Sequence, residues 1–81
     1  MLVRIVSFAQ LREIIGADIC LEMPAQSTVM DLREAIVRDY PGFAAASEST
    51  RLARNGRILS DLNVALESDD EVALLPPVGG G

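Results

Sequence analysis

Eighty-one residues with a formal charge of −5 make one small acidic domain, with room for a single core. That balance argues against nucleic acid and anionic membranes as partners, since both would repel the chain, and favours a partner with a basic docking surface. There is no histidine and only one cysteine, which excludes an internal disulfide, metal sites of the Cys/His kind and the usual nucleophile–base pairs.

The apolar fraction of 49% is ample for a compact core. All seven basic residues are arginine, so the only amine in the chain is its N-terminus. No signal peptide and no apolar run long enough for a bilayer is visible, and a cytoplasmic location is expected.

Leu2 to Phe8 is rich in β-branched and aromatic residues and apolar on both sides, the pattern of an inner strand. From Ala9 to Ile15 the spacing turns helical, with Leu11, Ile14 and Ile15 on one side and Gly16 as the stop. Ala17 to Met23 alternates as a half-buried strand, with Asp18, Cys20 and Glu22 on its polar face. Cys20 reads as a tolerated small residue rather than a redox relay, because no second thiol or base accompanies it. Pro24 to Ser27 then turns the chain into its main helix. Thr28 is the expected N-cap, and Asp31 completes a capping box with the shorter acid. Val29, Leu32, Ala35, Ile36 and Tyr40 share one face of that helix, which Pro41-Gly42 ends.

Phe43 to Thr50 is small and polar after its aromatic and reads as loop with room for one helical turn. Asn55-Gly56 signals a tight hairpin between short strands at 51–54 and 57–60, because both central residues of that turn need positive φ. Arg51, Arg54 and Arg57 suit a solvated edge that discourages strand aggregation better than they suit a binding site. Asp61 to Glu67 connects onward, with Val64 and Leu66 turned to the core, and Ser68-Asp69-Asp70 makes an acidic turn. The apolar run Glu71 to Leu75 is the last strand.

The expected class is α+β: a mixed sheet of about five strands on one main helix, with a short helix after the first strand. The first and last strands, equally apolar, pair in parallel at the centre. Phe8 and Leu75 then lie at the same end of the sheet, in the β-grasp arrangement. The domain spans 1–75, and 76–81 form an extended tail. Pro76-Pro77 cannot continue strand pairing, since neither has an N–H to donate, and the pair favours a stiff extended exit. Val78, Gly79, Gly80 and Gly81 then carry the α-carboxylate on a nearly side-chain-free segment suited to a narrow channel in another protein. A frayed end is the plain alternative.

Several of these stretches together point to a family. Val6-Ser7-Phe8-Ala9-Gln10-Leu11-Arg12-Glu13, Asn55-Gly56, Asp70-Glu71-Val72 and above all Pro76-Pro77-Val78 before Gly80-Gly81 resemble the small subunits of molybdopterin synthase. The resemblance spans the whole chain. It implies a ubiquitin-like sulfur carrier. An adenylating partner resembling ubiquitin-activating enzymes would use ATP and Mg to convert the Gly81 carboxylate to an acyl-adenylate. Sulfur from a donor would then replace AMP, giving a thiocarboxylate. The loaded tail would enter the large subunit within a heterotetramer and donate sulfur to a pterin precursor, building the dithiolene.

The carrier itself would bind no cofactor or metal and supply no catalytic acid or base. The resemblance places docking on an apolar patch of the open sheet face, at Phe8, Ile58 and Leu75, with Arg12, Asp70 and Glu71 as polar contacts and Pro76 and Pro77 leading into the tail. A plain core role for Phe8 and Leu75 stays open on the sequence. Two positions depart from the family pattern. Asp69 stands where glycine is usual, and a small left-handed strain is expected there. Gly79 stands where Ala or Thr is usual. Other readings are a carrier for thiamine, cysteine or tRNA thiolation, against the first of which Pro-Pro-Val argues, or a ubiquitin-like interaction module with an unreactive tail.

Overall fold

A computed structural model describes residues 1–77 of the chain. Its elements in order are β1 (Leu2–Ser7), α1 (Leu11–Ile15), β2 (Asp18–Glu22), α2 (Val29–Asp39), α3 (Ala44–Ser47), β3 (Arg51–Arg54), β4 (Arg57–Ile58) and β5 (Glu71–Leu75), with a 3₁₀ turn at Pro41–Phe43 before α3. The five strands form one mixed sheet in the order β2-β1-β5-β3-β4. β1 and β5 pair in parallel at its centre, Ile5 beside Val72 and Ser7 beside Leu74. The other neighbours are antiparallel. This is the β-grasp arrangement expected from the sequence.

One face of the sheet carries the core. Val3, Ile5, Leu52, Val72 and Leu74 point under α2, meeting Val29, Leu32, Ala35 and Ile36 of the helix. The helix starts as its capping box dictates. The Asp31 amide donates to Thr28 Oγ1 at 3.1 Å, and the Thr28 amide donates to the Asp31 carboxylate at 2.9 Å. Two of the orphan donors at the helix start are thereby satisfied. Leu66 is buried from the connector and Val64 packs partly against the same cluster.

The structure differs from the sequence reading at several boundaries, each for a local reason. α1 begins only at Leu11, because Ala9 sits at φ +53°, outside helical geometry. β2 loses Ala17 and Met23 at its ends. The second hairpin strand shrinks to Arg57–Ile58. The stretch at 43–50 holds the one helical turn it had room for, helix α3, tied at its end by the Thr50 hydroxyl on the Ala46 carbonyl at 2.7 Å, and it buries Phe43 completely. The hairpin turn has the positive φ it needs at both Asn55 (+50°) and Gly56 (+88°). Asp69 adopts the left-handed geometry expected of it, at φ +70°.

The largest change concerns β1. Its sequence reads as a strand buried on both sides, yet only Val3, Ile5 and Ser7 face the helix. Leu2, Arg4 and Val6 belong to the other face, which nothing in the described residues covers. β5 ends at Leu75; Pro76 is half-buried and Pro77 exposed. The expectations for Val78, Gly79, Gly80 and Gly81 lie outside the described residues.

Candidate functional site

The uncovered face can be built row by row from the register, since residues paired across a sheet share a face. Val6 pairs with Ala73, Ala73 with Ala53, and Ala53 with Ile58, giving an apolar row across four strands. One step toward the tail, Leu75 pairs with Arg51. Phe8 follows Ser7, whose partner is Leu74, so it stands beside Leu75 at the end of the central pair. Phe8 is 44% exposed and Ile58 58% exposed, while Leu75 is half-buried between its neighbours. Exposure on this scale, for a Phe and an Ile joined by a floor of alanine and valine, makes a contiguous apolar patch on a small domain. The placement answers the alternative left open above. Phe8 and Leu75 are not core residues beneath the helix.

The opposite end of the same face is ionic. Arg4 stands between Cys20 on β2 and Glu71 on β5. Its guanidinium donates to the Asp18 carboxylate at 2.6 Å and meets Glu71 Oε2 at 3.2 Å, tying three strands together. The hydrogen bond from Arg4, aided by its charge, holds the Asp18 carboxyl below the usual carboxylate range. The Arg4 guanidinium is in turn raised further above its already high value, first by that hydrogen bond and then by the two acids. The face is therefore polarised, with an apolar half beside the tail exit and a paired-charge half away from it.

Arg12 lies exposed on α1, which begins where β1 ends and so borders the tail exit. Glu71 sits at the ionic end of the open face, half-buried and already paired with Arg4. Asp70 requires a correction. It was expected as a polar contact for a partner, but it is only 6% exposed. Its carboxylate accepts from Asn55 Nδ2 at 3.0 Å and from the Glu67 amide at 2.8 Å, so its lone pairs serve the fold. Asn55 completes the arrangement. Its Oδ1 accepts from the Glu71 amide at 2.9 Å, and its own amide donates to the Glu71 carbonyl at 2.8 Å. The hairpin turn is thereby stapled to the start of β5.

Sequence reasoning missed Val6, Ala53 and Ala73, the floor of the patch, and Arg51 beside Leu75. It named Glu71 as a polar contact but not the ionic set that Arg4 forms with Asp18 and Glu71. Among the described residues no group of three or more His, Cys, Asp or Glu side chains is placed to hold a metal ion. No helix of the described residues is long and apolar enough to cross a membrane.

The fold and the position of the patch can now be set beside known proteins. A model of the ThiS family matches residues 5–81, almost the whole chain. The chain belongs to the ThiS family. It is 36% identical over 81 residues to a molybdopterin synthase sulfur carrier subunit of Dictyostelium discoideum, with 96% of this chain and 94% of that one covered. Among solved structures it resembles the small archaeal modifier protein SAMP1 of Haloferax volcanii, with a TM-score of 0.85, 28% identity and full coverage of both chains. It also resembles a chain in the complex of subunits 1 and 2 of the molybdopterin-converting factor from Helicobacter pylori, with a TM-score of 0.75, 27% identity and full coverage of both chains.

Proposed function

We propose that this protein is a sulfur carrier that acts as the small subunit of molybdopterin synthase. The observation that carries the reading is the apolar half of the open face, Phe8, Val6, Ala73, Leu75 and Ile58, lying where β5 hands over to Pro76 and Pro77. A partner that takes in the tail must cover that end of the sheet, and an apolar patch there gains by being buried with it. The named relatives in Dictyostelium discoideum and Helicobacter pylori support a large-subunit partner.

In this reading the Gly81 carboxylate is the reacting group. A carboxylate is a poor electrophile until an adenylating partner joins it to AMP from ATP. Sulfur delivered by a donor at the level of hydrosulfide then attacks the carbonyl carbon, a C–S bond forms, and AMP leaves with the electron pair of the broken C–O bond. The thiocarboxylate so formed is a good nucleophile toward the pterin precursor. The carrier's part is to dock and to present the group; acid, base and magnesium belong to its partners.

The test is intact mass after incubation with the adenylating enzyme, ATP and a sulfur donor, followed by pterin-product formation with the large subunit. The expected result is a gain equal to one oxygen-to-sulfur exchange, lost when Gly81 is deleted or followed by an extra residue. Product formed by a chain blocked at its C-terminus would overturn the reading. A second reading, as a protein modifier, is favoured by the likeness to SAMP1. It uses the same activated carboxylate but ends in an amide bond to a target lysine, and the same mass measurement on a mixture of proteins separates the two.

A further inference from the structure

An acyl-adenylate or thioester at Gly81 reacts with any accessible amine. The amine attacks the carbonyl carbon, a C–N bond forms, the leaving group departs with its electron pair, and the amine gives up a proton. The amide that results is a dead end for sulfur transfer. One source of such an amine is a second copy of the carrier.

This chain offers that reaction almost nothing. None of its 81 residues is lysine; every basic side chain is a guanidinium, which stays protonated and is a poor nucleophile. The Met1 ammonium donates to the Met23 carbonyl at 2.8 Å and pairs with Glu22 at 3.0 Å, so this partly buried amine is held as a paired cation. The exposed nucleophile on its surface is the Cys20 thiol. Acylation there gives a thioester, which other thiols reverse.

We infer that the chain is built to be inert toward its own activated terminus, a donor in acyl transfer but never an amide acceptor for a second copy. The inference deepens the proposed function and rests on it, because self-acylation matters only to a chain whose carboxylate is activated. It also constrains the modifier reading. Any amide-linked product would carry one copy per target lysine and no chains of copies.

The test supplies the electrophile chemically, so its outcome is independent of whether an adenylating partner accepts the chain. The full-length protein is prepared with a C-terminal aryl thioester and held at high concentration at mildly alkaline pH. Excess small thiol reverses any Cys20 adduct, and a lysine-bearing peptide in a parallel sample reports that the thioester is competent. Denaturing intact mass reads amide-linked dimer. The natural chain is expected to hydrolyse without dimer while acylating the peptide. Arg38→Lys combined with Arg57→Lys, both exposed positions, is expected to give dimer mapped to the new lysines. Dimer from the natural chain, mapped to the Met1 amine, would overturn the inference. So would a double variant that acylates the peptide yet forms no dimer, since the missing lysines would then not be what prevents self-ligation.

Discussion

The two faces of the central sheet are made from alternate residues of the same strands and serve opposite ends. Val3, Ile5, Val72 and Leu74 lie under α2 and are fully buried, while Val6, Phe8, Ala73 and Leu75 look outward one residue away. Their chemistry is much the same, so hydrophobicity alone does not say which side folds the protein and which binds a partner. Geometry separates them: α2 covers one face only, and the other, on which Leu75 leads to Pro76, is the face proposed above to dock.

The comparison is broken most severely by exchanging burial for exposure at neighbouring positions. Leu74→Ala is expected to cost about 2–5 kcal/mol of folding stability. Leu75→Ala next to it should cost less, about 1–2 kcal/mol, because Leu75 is only partly buried on the face that no helix covers. Denaturant unfolding of the pair measures the contrast, and equal losses would mean that the open face is packed in solution.

Phe8→Ala carries the contrast into binding. Its unfolding midpoint should barely move, while affinity for the large subunit falls by about 2 kcal/mol or more, roughly thirtyfold in Kd. Titration calorimetry on the intact variant checks this. Unchanged affinity would leave the patch without a docking role.

A subtler pair separates fold from encounter at the ionic end. Asp70→Ala should destabilise the domain by about 1–3 kcal/mol, because it strands the Asn55 side-chain amide and the Glu67 amide. Glu71→Lys should leave the fold nearly intact and slow association with a basic partner surface, most visibly at low salt. Stopped-flow rates at two ionic strengths, beside melting curves, distinguish the two residues.

The smallest expected effect lies on the core face itself. Ser7 is only 2% exposed and its hydroxyl has no hydrogen-bond partner. Ser7→Ala should therefore be neutral or stabilise by up to about 1 kcal/mol, since no bond is lost and a buried unpaired hydroxyl is removed. A clear loss of stability would point to a water or partner group at that hydroxyl.

Ser7 and Arg4 also explain what the sequence revealed and what it hid. The element order, the capping box and the hairpin turn were legible because each depends on local chemistry: periodicity, a Thr–Asp spacing, an Asn-Gly pair; the parallel central pair followed instead from the matched apolarity of the first and last strands. Which face of β1 is open was not legible, because the strand places one polar residue on each side. Arg4 marks the open face correctly, since a guanidinium is not left unpaired in a core. Ser7 marks the wrong one, being small enough to be buried without a partner. Asp70 was misread for a related reason. Composition treats an acidic turn as solvated, whereas this carboxylate is held inside by Asn55, fifteen residues away in the chain. Long-range pairing of that kind leaves no local trace.

The parallel pairing of β1 with β5 has a further consequence, for how the protein comes to exist. β1 is complete at Ser7, but its central partner is not finished until Leu75. At about 5–20 residues per second, that gap lasts roughly 3–14 seconds of synthesis. During it β1 can pair only with β2, and one long edge of the nascent sheet stays unsatisfied. The sheet therefore closes late, through contacts of high sequence separation, which are slow to form. Any chain that stops short of Leu75 lacks both the strand that completes the sheet and everything beyond it. The last strand to join the sheet is thus the one that carries the tail, so a chain cut before β5 has neither a closed sheet nor the segment that follows it.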